Sequence, residues 1–361
     1  MLKVFRGWVD RYLSDEEALI FLLLLISFFA IIIGFGPVLA PVFIAIVMAY
    51  LLQGGMHFFE RKGVGHFLST LIMFTLFISV FLAILFVVIP ATISQAGQLF
   101  YELPKMLAKG QDLLMLLPER YPDLITELQI KEWIGQVGKE LASSGQWLLS
   151  FSFHSIPGAI TILIYLVLVP ILVFFFLKDG QIITNFMLSF LPKDRKLMNT
   201  IWAEMEIQIA NYIRGKVLEI VIVGGVTYVG FIIFDLQYAE LLAILVGLSV
   251  LVPYIGAAVV TVPVAIIAYF QFGYGESLFY CLLIYGVIQA LDGNVLVPLI
   301  FSEVINLHPV AIIIAVLAFG GIWGFWGVFF AIPLATLLKA VLTAWPQAVK
   351  KVEPKQSCGE V

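Results

Sequence analysis

The sequence predicts an all-α polytopic integral membrane protein of about eight transmembrane helices, with two interrupted long runs in its second half. Three observations carry this. Of 361 residues, 62% are hydrophobic and only 12% charged, where a soluble chain is about half apolar and a quarter charged. The mean hydropathy is +1.06, more apolar surface than one aqueous core absorbs, so lipid must solvate much of the chain. The apolar residues also fall in runs of roughly 20, the length a helix needs to cross ~30 Å of hydrocarbon.

Ala18 to Gly36 is the first such run. It follows the charged stretch Arg11 to Glu17 and has no clear small-residue cleavage site, so a retained span is expected rather than a leader. Pro37 to Leu52 follows at once, and Gly34-Phe35-Gly36-Pro37 predicts a tight hairpin between the two. A polar loop from Gln53 to His66 leads to the third span, Phe67 to Pro90.

Residues 91–156 form the one long polar region. Its apolar residues, among them Leu103, Met106, Leu107, Leu113, Leu114 and Leu117, recur at helical spacing, which predicts amphipathic helices on the membrane surface. Pro157 to Leu177 is the fourth span, stopped by Lys178-Asp179-Gly180. A second amphipathic segment, Asp194 to Lys216, precedes the fifth span at Val217 to Phe234. Leu241 to Tyr269 exceeds one span and is interrupted by Pro253, Gly256 and Pro263. Ser277 to Leu291 is short. Pro309 to Trp345 is again too long and carries Gly320, Gly321, Gly324, Gly327 and Pro333. The chain thus divides into 1–90, with three spans, the outer region 91–156, and 157–361, with five more spans, the polar segment 178–216 and a polar tail.

Each long run is either a kinked span or a helical hairpin, and either count gives an even number of crossings. Fifteen of the 20 Lys and Arg residues fall in the N-terminal stretch, the loop at Arg61-Lys62, segment 178–216 and the C-terminal end. The other five, Lys105, Lys109, Arg120, Lys131 and Lys139, all lie in 91–156. The positive-inside rule then puts both termini in the cytoplasm of a bacterial inner membrane and the long polar region outside. Cys281 lies in an apolar run and Cys358 in the tail, so neither a disulfide nor a compartment is implied.

Asp292 is the residue that most needs explaining. A carboxylate at a helix centre costs about 2.5–3.5 kcal/mol on insertion scales, so it turns toward a cavity or a partner. Gln289, three residues earlier, shares its face, and Asn294 follows closely. The pocket reading is a substrate, proton or cation site; the plainer one is a span end solvated at the interface beside Gly293. Breaks at Pro253-Tyr254-Ile255-Gly256 and from Asn294 to Pro298 would expose backbone groups usable by a substrate or coupling ion. Alternatively, they are packing kinks. Gly320, Gly321, Gly324 and Gly327 serve close helix packing or a hinge. Glu303, Asn306 and His308 read as a polar turn, and Glu219 is expected to pair locally with the basic end of its span. Lys178, Asp179, Gly180 and Arg214 form a cytoplasmic motif whose charges pair or hold segment 194–216 against the membrane.

Four stretches in order resemble the autoinducer-2 exporter family of bacterial permeases: Phe174-Phe175-Phe176-Leu177-Lys178-Asp179-Gly180, Tyr212-Ile213-Arg214-Gly215-Lys216, Val252-Pro253-Tyr254-Ile255-Gly256-Ala257, and Gln289 through Asp292, Asn294, Pro298 and Leu307-His308-Pro309 to Gly320-Gly321, Gly324, Gly327 and Ala331-Ile332-Pro333. The resemblance implies an eight-span permease that forms homo-oligomers. It implies export of a small polar solute, autoinducer-2 in some members, or exchange of sodium or lithium for protons in others.

No phosphate-binding loop, zinc-protease histidine pair, Gly-x-Ser-x-Gly turn or basic-aromatic nucleic-acid patch occurs. The expectation is therefore no enzyme chemistry, cofactor, metal or nucleic-acid partner. Expected partners are the lipid bilayer and a small polar solute or monovalent cation. A membrane scaffold that binds a partner through 91–155 is the remaining alternative.

Overall fold

A computed structural model describes residues 16–115, 156–192, 195–301 and 307–351, with short pieces between 126 and 139. Every regular element among them is helical, and eight stretches are long and apolar enough to cross a membrane. Large apolar side chains such as Ile162, Leu163, Val229 and Ile233 face outward. So extensive an apolar exterior suits lipid, not water.

Helix α1 (Glu16–Arg61) is continuous over 46 residues, about 69 Å at 1.5 Å per residue. The expected hairpin at Gly34-Phe35-Gly36-Pro37 therefore does not form. A proline removes one helical hydrogen bond, yet its fixed φ is helical, so a chain can pass through it with a bend. Glu17 Oε1 accepts the Met198 N–H at 2.9 Å, and beyond the other end of α1 His66 Nε2 lies 3.1 Å from the Lys178 carbonyl.

Helix α2 (His66–Ala83) passes through a π-helical turn (Ile84–Val88) into α3 (Ile89–Leu114). Pro90 is therefore not a helix end: the helix continues through it to Leu114. A second π-helical turn (Asp292–Leu296) joins α8 (Glu276–Leu291) to α9 (Val297–Phe301). Each π turn ends two residues before a proline, Pro90 or Pro298. A proline ring crowds the carbonyl four residues back, and a widened turn makes room for it. The break expected from Asn294 to Pro298 is accordingly a wide turn inside a continuing helix.

Helix α4 (Ile156–Leu188) bends at Asp179 (φ −114°, ψ 15°) instead of stopping at Lys178-Asp179-Gly180. Helix α5 (Lys196–Ile233) merges the amphipathic segment with the fifth span in 38 unbroken residues. It is the hub, packing on α1, α8 and α9, and on α6 (Ala239–Ser249) and α11 (Ala331–Lys351).

Both long runs fold back on themselves. Between α6 and α7 (Ile255–Phe272) the chain reverses so tightly that a Cβ on Gly256 would lie 1.8 Å from the Ser249 carbonyl oxygen. Helix α10 (Pro309–Phe329) breaks at Gly324, whose φ of 60° and ψ of −135° only glycine adopts readily. There a Cβ on Gly327 would lie 1.8 Å from the Phe319 carbonyl oxygen.

Candidate substrate and ion pathway

On α5, Lys216 and Glu219 stand one turn apart on one face, with Nζ 2.7 Å from Oε2 and side chains only 5% and 3% exposed. Lys216 Nζ also donates to the Val250 carbonyl at 2.8 Å and lies 5.3 Å from the centre of the Phe301 ring. That carbonyl is available because α6 ends there, and a helix end leaves carbonyls without helical donors. The reversal includes a tight turn in which the Ile255 N–H donates to the Pro253 carbonyl at 2.7 Å. Its central residue, Tyr254, has φ 63° and ψ −49°. This is the strained form of the γ-turn, of a kind that persists where surrounding structure enforces it. A lysine side chain thus closes a break in a neighbouring helix.

Asp292, at the start of the second π turn, points its charge at the same place. It interacts electrostatically with both Lys216 and Glu219. Its Oδ1 is buried without a hydrogen-bond partner. One turn earlier the Tyr285 hydroxyl lies beside Gln289 and shares a 2.9 Å hydrogen bond with Thr261 Oγ1 of α7. The row Thr261, Tyr285, Gln289, Asp292, Glu219 and Lys216 therefore links α7, α8 and α5 through otherwise apolar helices. Buried polar atoms left unpaired cost about 1–3 kcal/mol each, which a hydroxylated solute, water, a proton or a cation would relieve. With both carboxyl groups ionised, one ammonium facing them would leave a single negative charge to balance.

Of the residues expected to form a path, Gln289 and Asp292 join this row, and Pro253 and Gly256 shape the break that Lys216 closes. Asn294 Nδ2 instead donates to the Ala290 carbonyl at 2.8 Å, within its own helix, and Pro298 is exposed. Gly320 and Gly327 lie between the two arms folded at Gly324, where a Cβ on Gly320 would meet Val328 at 2.8 Å; Gly321 faces open space.

The motif of Lys178, Asp179, Gly180 and Arg214 divides. Lys178 Nζ lies 3.8 Å from Asp179 Oδ2, at the bend and just before Gly180. Arg214 Nε donates to the Tyr50 carbonyl of α1 at 3.3 Å, so it does not pair with Asp179. His308 caps α10, its Nδ1 accepting the Val310 N–H at 3.3 Å; Glu303 and Asn306 lie outside the described residues.

Glu219 pairs locally as its sequence suggests. The sequence does not disclose that its partner is buried in the span, because Lys216 follows Arg214 and reads as one more basic residue at the cytoplasmic end. The spacing Lys-x-x-Glu in a helix that continues apolar beyond Glu219 was the available signal.

A polytopic helical bundle with broken, refolded spans and a buried charged row is the architecture of a membrane permease. The chain matches the AI-2E family transporter family over residues 19–347. It is 47% identical over 346 residues to PerM of Escherichia coli K12, which carries a permease name, covering 96% of this chain and 98% of the relative. It is 27% identical over 307 residues to YueF of Bacillus subtilis, which carries a transport-protein name, covering 83% and 82%. A third relative, sll0063 of Synechocystis, is 24% identical over 356 residues, covering 94% and 88%. The chain belongs to the AI-2E transporter family, a family of permeases and not of enzymes.

Proposed function

We propose that this permease exports a small polar solute by a secondary or passive route through the row from Lys216 to Thr261, with autoinducer-2 the solute to test first. The observation that carries the reading is Lys216 closing the break between α6 and α7 while Asp292, which faces it, keeps a buried unpaired Oδ1. Transporters hold polar substrates at such breaks, where backbone groups and buried charges meet. Lys and Arg residues concentrated in 178–216 and at the chain ends support cytoplasmic termini in a bacterial inner membrane. The row would then open outward between α5 and α8. Homo-oligomers are proposed from the resemblance stated above.

A second reading, sodium or lithium exchange for protons, is favoured by the charge count of one ammonium against two carboxylates. One experiment separates the two. Purified protein is reconstituted into liposomes holding a pH-sensitive dye, and sodium, lithium or labelled autoinducer-2 is supplied. Solute movement without cation-dependent proton movement supports export. Cation-dependent proton movement without solute movement establishes exchange. Neither would remove the transport reading.

A further inference from the structure

At the end of the fold away from 178–216, Gln95, Gln98, Glu102, Lys105 and Lys109 recur along α3 at alternating spacings of three and four, which aligns them on one face. That face meets the turn between α5 and α6 and the end of α7. Two adjoining cavities of about 270 and 260 Å³ lie along it, both touching Glu102 and Gln237.

The groups that hold these walls together are already occupied. Gln95 accepts the Leu241 N–H at 3.0 Å and donates to Glu240 at 3.3 Å. Gln271 accepts the Gln237 N–H at 2.7 Å and donates to the Asp235 carbonyl at 2.7 Å. Glu102, the one carboxylate in the groove, accepts the Tyr238 hydroxyl at 3.1 Å. Burial, then that hydrogen bond, hold the Tyr238 phenol above its ordinary range, so it remains the donor.

The charged groups that remain unused are cationic. Lys105 lies 5.8 Å from the Tyr101 ring centre, and neither it nor Lys109 forms an ion pair among the described residues. Like charges four residues apart on a helix repel, and an anion between them turns that repulsion into attraction. The same cavity is walled by Met106 and Phe270, which suit a short hydrocarbon body.

We propose that this groove binds a small organic anion, a carboxylate of a few carbons, between Lys105 and Lys109 and against Phe270. The site lies at the opposite end of the molecule from segment 178–216 and stands whether or not the transport reading does. The test is calorimetric titration of the purified full-length protein in detergent with malonate, using chloride at equal ionic strength as the blank and inorganic phosphate as the competitor. Saturable malonate binding is expected, weakened about tenfold or more in Lys105→Gln/Lys109→Gln through loss of charge-assisted hydrogen bonds. Both positions are exposed, so the variant should keep the unfolding midpoint of the unliganded protein. Binding should persist in Asp292→Asn. The proposal is overturned by no saturable heat above chloride, by equal affinity in the double lysine variant, or by loss of binding in Asp292→Asn. Phosphate binding as tight as malonate would overturn the carboxylate assignment.

Discussion

Replacing Lys216 with Met keeps the length of the side chain and removes its charge. Glu219 then stays as a buried carboxylate, 3% exposed, without its countercharge. The Val250 carbonyl also loses the donor that reaches it at 2.8 Å. Removing one partner of a buried ion pair costs about 3–5 kcal/mol, and the orphaned carbonyl places Lys216→Met at the upper end of that range. Glu219→Gln should cost less, about 1–3 kcal/mol, because Lys216 keeps the Val250 carbonyl, the Phe301 ring and the attraction of Asp292. The double variant leaves no unpaired Glu219 carboxylate, and only Asp292 keeps a charge without its partner, so its cost should fall short of the sum by at least about 1 kcal/mol. The assay is unfolding of the detergent-solubilised protein followed by tryptophan fluorescence across the four proteins of the cycle. Equal costs for the two single variants, adding without coupling in the double, would refute the buried pair.

Gly256→Ala must push a methyl group into the Ser249 carbonyl and should destabilise by about 1–3 kcal/mol or more, whereas Gly286→Ala meets no atom within 4 Å and should be tolerated; thermal unfolding of both variants checks this. Tyr212→Phe removes a 2.9 Å hydrogen bond to the buried Phe329 carbonyl and should cost about 1–3 kcal/mol in the same measurement. His66 gives a pH dependence. Its Nδ1 lies 2.7 Å from Glu60 Oε1 and its Nε2 3.1 Å from the Lys178 carbonyl. Two acceptor partners call for a doubly protonated ring. The Glu60 hydrogen bond, then that to Lys178, raises its pKa above 6.5. A raised pKa gives stability that is complete below 6.5 and lost as pH rises through the folded value. The unfolding midpoint should therefore drop on going upward from pH 6.5, and His66→Gln should flatten that slope.

The apolar runs made the helical membrane fold legible because lipid solvation leaves a composition that no soluble chain needs. Asp292 and Gln289 were legible for the converse reason: polar groups are expensive in a span. Three features were not. The Gly-Phe-Gly-Pro sequence reads as a turn, yet Pro37 is carried within α1, whose packing against α4 and α5 outweighs one lost hydrogen bond. The π turns before Pro90 and Pro298 preserve helices where a proline suggests an end. Lys216 carries a charge whose destination depends on the reversal at 250–254, a tertiary event that local spacing does not encode.

Solute crossing where Lys216 closes the break beside Asp292 is the core of the proposed transport. Its most direct test is the initial rate of labelled autoinducer-2 movement across liposomes reconstituted with wild-type, Asp292→Asn or Glu219→Gln protein at matched folded amounts. A saturable wild-type rate and a large loss in both variants are expected. A saturable wild-type rate left unchanged by both substitutions would contradict the proposal.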